Sequence, residues 1–292
     1  MKISLTNFTR GGVTIEESLK MLKDAGFDGA DFQIFGEAQE TLAQPNYEEI
    51  FEKWGAYARE IGLEISQTHA PYPSYVEEKS AEENEEIFQT IAKAVIASGK
   101  MGSKYVIVHP PVFPERKYDR LKAENREYGL NFYRRLEPYA KQAGVKIAIE
   151  NMWNFDWDYN QICPTTLSHA EELAEWCDAL GREHFCVCLD IGHCELTRDN
   201  PAEAIRILGD RLETLHVHDV DGIHDLHTAP FFGCIHWDGV CQALADIDYK
   251  GVFSLESCVF ARGYFPQELF FDTVALQAKI GRYLADDVEK RK

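Results

Sequence analysis

The sequence predicts a single (β/α)8 TIM barrel, and three observations predict it. Short β-branched runs alternate with longer segments of helical period from one end of the chain to the other, which calls for a parallel sheet with helical crossovers. The alternation repeats eight times within 292 residues, the number that closes such a barrel. No Ser- or Pro-rich linker and no low-complexity segment divides the chain, so residues 1–292 read as one domain.

Taken in order, KISLTNF (2–8) leads into TIEESLKMLKDAGF (14–27), where apolar residues fall at helical intervals. GADFQIF (29–35) leads into NYEEIFEKWGAYAREIG (46–62), and LEISQTHAPY (63–72) into a helix through NEEIFQTIAKAVIASGKMG. KYVIVHPP (104–111) precedes REYGLNFYRRLEPYAKQAG, and VKIAIENMW (145–153) precedes SHAEELAEWCDALG. FCVCLDIGH (185–193) precedes NPAEAIRILGDRL, and ETLHVHDV (213–220) precedes a helix near DGVCQALADI. GVFSLES (251–257) and PQELFFDTVALQAKIGRYLADD close the series. Gly, Asp, Asn and Ser stand at the ends of most of these helices, as short joins between strands and helices require.

A hydrophobic content of 45% with 12% aromatics is enough for a sizeable core. The N-terminal MKISLTNFTRGGVT lacks the apolar run of a signal peptide, and no stretch approaches the roughly 18 apolar residues of a membrane span. The eight cysteines contain no C-x-x-C and no zinc-finger spacing. They are read as reduced, with Cys186 and Cys188 as strand packing, and the compartment as cytoplasmic. A net charge of -19 disfavours loose capture of nucleic acid or an anionic membrane, so neither is expected as a partner.

In such a barrel the active site forms at the C-terminal ends of the strands. Those ends carry His69, His109, Glu150, Asp190 with His193 three residues on, His216 with His218, and Glu256, while the loop after strand seven adds Asp225 and His227. Each has a bland reading. A strand-end His is commonly a hydrogen-bonded core residue, Asp190 stands where an N-cap would, and His218 reads as lying one layer below His216. Glu150 and Glu256 resist dismissal, because each ends an apolar strand and an unpaired buried carboxylate is costly. Two such carboxylates facing into one barrel repel unless a cation or a shared proton sits between them. His169 and His184 read as structural, and His224 and His236 are left open.

The motifs THAPY, VIVHPP, AIENMW, CLDIGH, LHVHD, HDLH and FSLES together resemble the xylose-isomerase-like TIM-barrel superfamily. That superfamily holds sugar isomerases and epimerases as well as AP endonucleases of the endonuclease IV type. The resemblance implies one divalent metal held by Glu150, Asp190, His216 and Glu256, with the two glutamates doubling as the proton-transfer pair and His193 contacting substrate. Three oxygen ligands and one imidazole suit Mn²⁺, Mg²⁺ or Co²⁺. The endonuclease branch implies up to three Zn²⁺ and has counterparts here for all its ligands, adding His69, His109, His193, Asp225 and His227 as further metal or substrate contacts.

The rim favours sugar chemistry, since the loops FQIFGEAQE and PYPSYVEEKSAEENEE offer a phosphodiester backbone almost no cation. PFFGCIHW resembles an altered P-G-x-G-x-I-x-W turn of isomerase-like members, with Phe231 and Phe232 read either as lining a pocket for an apolar part of the substrate or, the reading preferred, as packing the lid. The loop after strand seven departs from many ketose 3-epimerases, holding Gly222, Asp225 and His227 where those carry an Arg. Arg262, together with Arg116 and Lys117, is the candidate for contact with a charged group of the substrate. The expectation is a metal-dependent sugar isomerase or epimerase working through an enediolate on a small, unphosphorylated sugar or polyol. A multi-zinc phosphodiesterase and an inosose-dehydratase-like lyase stand as alternatives, and the resemblance allows a homo-oligomer.

Overall fold

The computed structural model describes residues 1–8, 12–111, 122–257 and 266–292. Its strands are β1 (Ile3–Thr6), β2 (Gly29–Gln33), β3 (Glu64–His69), β4 (Tyr105–Val108), β5 (Lys146–Glu150), β6 (Trp153–Asp156), β7 (Gln161–Pro164), β8 (Phe185–Asp190), β9 (Leu212–His216) and β10 (Phe253–Leu255). Between them run α1 (Ile15–Ala25), α2 (Glu37–Thr41), α3 (Tyr47–Glu60), α4 (Ala81–Met101), α5 (Lys122–Ala143), α6 (Ala170–Leu180), α7 (Ile191–Leu196), α8 (Pro201–Leu208), α9 (Trp237–Asp246) and α10 (Phe270–Arg291).

Eight strands form one parallel sheet in the order β10-β1-β2-β3-β4-β5-β8-β9. Beyond β9 the Val217 amide donates to Ser254 O at 2.8 Å and the Val217 carbonyl accepts from the Glu256 amide at 2.9 Å, which rolls the sheet into the expected barrel. The period of two decides what each side chain meets. In β8, Phe185, Val187 and Leu189 turn outward into the core under the helices. Cys186 and Cys188 turn inward onto Ile107 and Ala148, the packing role read for them. The described cysteines are free. No described helix is long and apolar enough to cross a membrane.

Three differences from the sequence reading have local causes. The strand expected to reach residue 193 stops at Asp190, whose carboxylate caps α7 by accepting the His193 amide at 2.7 Å. The strand expected to reach residue 220 stops at His216, because the Asp219 carboxylate gathers the following loop. It accepts from the amides of Val220 at 3.0 Å, Phe231 at 2.9 Å and Ile235 at 3.1 Å, and from Trp237 Nε1 at 2.9 Å. The strand expected over 145–153 ends at Glu150, and an antiparallel hairpin of β6 and β7 follows. WNFD and QICP are too short and too mixed to announce that hairpin, and α2 is a single turn with the same disadvantage.

Candidate metal centre

Inward alternation aims one chemistry-bearing side chain from each of six strand ends at the barrel axis. In β5, Ile147 and Ile149 face the helices, so Glu150 faces the axis. His69 ends β3, His109 follows β4, Asp190 ends β8, His216 ends β9 and Glu256 follows β10, while His193 enters on the first turn of α7. Asp225 and His227 arrive from the loop that Asp219 ties down. Six of these nine are buried outright (His69, Glu150, Asp190, His193, His216 and His227), whereas the Glu256 side chain keeps 13% of its surface.

Glu150 is the hub. Its Oε1 lies 2.6 Å from His216 Nδ1, and its Oε2 lies 3.0 Å from His109 Nε2 and 3.6 Å from His69 Nε2. Glu256 Oε2 lies 3.4 Å from His216 Nδ1. One ligand atom each from Glu150, Asp190, His216 and Glu256 fall within 4.8 Å of one another, as do those of His69, Glu150 and His216. Beside this, His193, His218, Asp225 and His227 form a second group of the same compactness. In it His227 Nε2 is 3.1 Å and His193 Nε2 3.7 Å from the Asp225 carboxylate.

The donor sets fit a divalent cation on a test internal to the fold. Glu150 Oε2 and Asp225 Oδ1, one in each group, are buried and form no hydrogen bond of good geometry, although histidines lie close by. Buried polar atoms of native folds are mostly paired, and these two carboxylate oxygens are ones that a bound ion or substrate would satisfy. Three carboxylates and an imidazole suit Mn²⁺, Mg²⁺ or Co²⁺, and the imidazole-rich second group suits Zn²⁺.

Electrostatics point the same way. Burial alone would raise the Glu150 pKa, but His216 and His109 outweigh it and hold the carboxyl well below its ordinary range. Burial opposes charge on His216, yet Cys188, Glu256 and Glu150 carry its pKa well above the ordinary imidazole value. Burial likewise opposes charge on His193, and Asp190 and Asp225 overcome it. His227 is pushed up to about 9, with Glu256 and Asp225 prevailing over burial. His109 moves the other way, lowered by burial that Glu150 only partly offsets. Imidazolium charge thus stands where a cation would otherwise balance the carboxylates.

The nine residues singled out at the strand ends and in the loop after β9 therefore come together. Arg262, Arg116 and Lys117 lie outside the described residues. His169 is the N-cap residue of α6 and pairs with Asp199, and His184 stays off the rim, in keeping with structural roles. His224 is exposed against Asp221, and His236 precedes α9.

Sequence reasoning missed Asp31 and Asn151. Asp31 is fully buried on β2, 3.1 Å from His216 Nε2, and its Oδ2 accepts from Gln67 Nε2 at 3.0 Å. Its signal was the alternation of Gly29, Asp31 and Gln33 against Ala30 and Phe32. Asn151 anchors the Asp190 backbone in both directions, at 2.8 and 2.7 Å, and its carbonyl accepts from His193 Nδ1 at 2.8 Å.

The centre opens into a cavity of about 470 Å³ with Phe8, Phe35, Tyr72 and Trp153 on its apolar side. Phe231 and Phe232 do not line it. Phe231 packs edge-on against Trp237 and Tyr283, and both rings stay more than half exposed.

The chain is 26% identical over 264 residues to the uncharacterized protein MJ1311 of Methanocaldococcus jannaschii, covering 88% of this chain and 84% of that one. It is 26% identical over 169 residues to the D-psicose 3-epimerase of Enterocloster bolteae, covering 58% of this chain and 49% of the other. Among solved structures, a D-tagatose 3-epimerase-like protein superposes with a TM-score of 0.74 at 22% identity, over 100% of this chain and 98% of that one. The IOLI protein, solved with a zinc atom bound, superposes with a TM-score of 0.72 at 19% identity, over 100% and 99% of the two chains. The sequence profile described as xylose isomerase-like TIM barrel matches residues 19–269, and the chain belongs to that family.

Proposed function

We propose that the chain is a divalent-metal-dependent sugar isomerase or epimerase that moves a proton next to a carbonyl. The observation that carries this reading is the meeting of Glu150, at the end of β5, and Glu256, just after β10, with Asp190 and His216 inside 4.8 Å, the two glutamates lining a sugar-sized cavity. Similarity to a D-psicose 3-epimerase in sequence, and to epimerase-like barrels in fold, supports it. When bound at these four residues, a divalent cation polarises a carbonyl and lowers the energy of an enediolate. The chain's own groups do the rest. One glutamate takes the C–H proton and the other returns it. Return to the opposite face of the same carbon epimerises, and return to the neighbouring carbon, with the hydroxyl proton passing between the two oxygens, isomerises. His193, which lines the cavity and is held by Asn151, is placed to bind a substrate hydroxyl.

A multi-zinc hydrolase is the second reading, and the compact group of His193, Asp225 and His227 is the observation in its favour. The acidic side chains of Glu37 and Glu40 on α2, beside the cavity wall at Gly36 and Ala38, weigh against a phosphodiester there. Metal counting by mass spectrometry, on protein purified without chelator, separates the two. About one Mn²⁺, Mg²⁺ or Co²⁺ per chain is the expected result, and two or three tightly held Zn²⁺ would put the hydrolase first.

A further inference from the structure

We propose that His218 is a positioning residue that fixes the Asp190 carboxylate for the cation, from a slot that Gly192 leaves open. The role rests on the cation-binding reading given above. His218 is fully buried, and its Nε2 lies 3.0 Å from the Asp190 carboxylate. An ionised carboxylate only accepts, so that nitrogen carries the proton and the imidazole donates. The same carboxylate also accepts the His193 amide through Oδ1 at 2.7 Å. One donor comes from the first turn of α7 and one from the chain beyond β9. Together they set the rotation of the carboxylate, while Asn151 pins the backbone beneath it. The remaining lone pairs are left for the group formed with Glu150, His216 and Glu256.

The imidazole is held in this pose by shape as well. A Cβ on residue 192 would stand 2.0 Å from His218 Cε1 and 2.6 Å from each ring nitrogen, so only glycine admits the ring. The opposite ring face stacks on His227 at 4.0 Å with 11° between planes. Space filling alone would be met by an apolar side chain, and such a side chain would leave Asp190 with one donor fewer. Outer-shell donors of this kind typically contribute a 10- to 100-fold factor to metal affinity.

The test measures Mn²⁺ dissociation constants of the metal-stripped full chain by competition with a chromophoric chelator, alongside thermal melts of each metal-free protein. His218→Leu, which fills the slot without a donor, should bind Mn²⁺ about 10- to 100-fold more weakly, whereas His218→Gln, which keeps a donor, should retain most of the affinity. Gly192→Ala, which drives the ring off its seat, should lose about as much as His218→Leu, and it carries the test if His218→Leu does not melt cooperatively. Wild-type affinity in His218→Leu or Gly192→Ala would overturn the role, as would a His218→Gln variant no better than His218→Leu. A wild-type chain that binds no Mn²⁺ would instead overturn the metal reading of the preceding section.

Discussion

Glu150 shows at the scale of one residue why this centre reads as functional. A carboxylate with 1% of its surface exposed needs close polar partners, and the imidazoles of His216 and His109 stand 2.6 and 3.0 Å from it. Glu256 sits at the edge of the same cluster with access to the cavity. Replacing it by Gln keeps the shape and removes the proton acceptor, so turnover should fall by roughly 10²- to 10⁴-fold while the metal-free melting temperature changes little. Steady-state kinetics beside calorimetry would check this, and a variant within a few-fold of wild type would remove Glu256 from the proton pair. These residues were legible in the sequence because a charged residue ending an apolar strand has few bland explanations. Asp31 was not, since its meaning depends on facing His216 across the barrel. Nor was the hydrogen bond of His218, since alternation tells which side a ring takes and not which carboxylate it meets.

At the scale of elements, the strand–helix units with long periodic segments were legible, and the pieces that shape the mouth were not. The β6–β7 hairpin and the single turn of α2 are too short to carry a period, yet Trp153 and the α2 residue Ala38 line the cavity. The loop after β9 was legible as chemistry and not as structure. Its organiser, Asp219, accepts three amides and an indole N–H in the interior. Asp219→Ala would strand these donors and should lower unfolding free energy by about 3 kcal/mol, loosening Asp225 and His227 with it. Denaturant melts would test it, and a loss below about 0.5 kcal/mol would contradict it. Helix packing makes a similar demand at Gly99 of α4, where a Cβ would stand 2.4 Å from Ala143 O of α5. Gly99→Ala should be destabilising by about 2 kcal/mol in the same assay, and a neutral result would mean that the two helices part easily.

At the scale of the molecule, a chain of net charge -19 concentrates imidazoles around carboxylates at one end of a barrel. That arrangement sets a pH dependence. In the metal-free fold the pKa of His227 is raised from 6.5 to about 9. A raised imidazole pKa contributes stability that is fully present below pH 6.5 and is lost as pH rises through 9, on the order of 3 kcal/mol for this group. Imidazolium charge beside the carboxylates repels a cation, and a proton on the ligand nitrogen of His216 must leave before a cation can bind there. The metal-stripped chain should therefore lose melting temperature between pH 6.5 and 9 while its Mn²⁺ affinity rises over that window. Calorimetry and chelator competition across the range would check both, and a flat affinity would mean that His193, His216 and His227 hold no protons the cation must displace.

The most direct measurement of the proposed chemistry is proton exchange itself. The metal-loaded chain, incubated with a panel of unphosphorylated ketoses in D₂O and followed by NMR, should wash deuterium into the carbon beside the carbonyl of at least one sugar. Glu150→Gln and Glu256→Gln should each suppress that exchange by 10²-fold or more. No exchange with any ketose, together with zinc-dependent cleavage of a phosphodiester by the same preparation, would contradict the account.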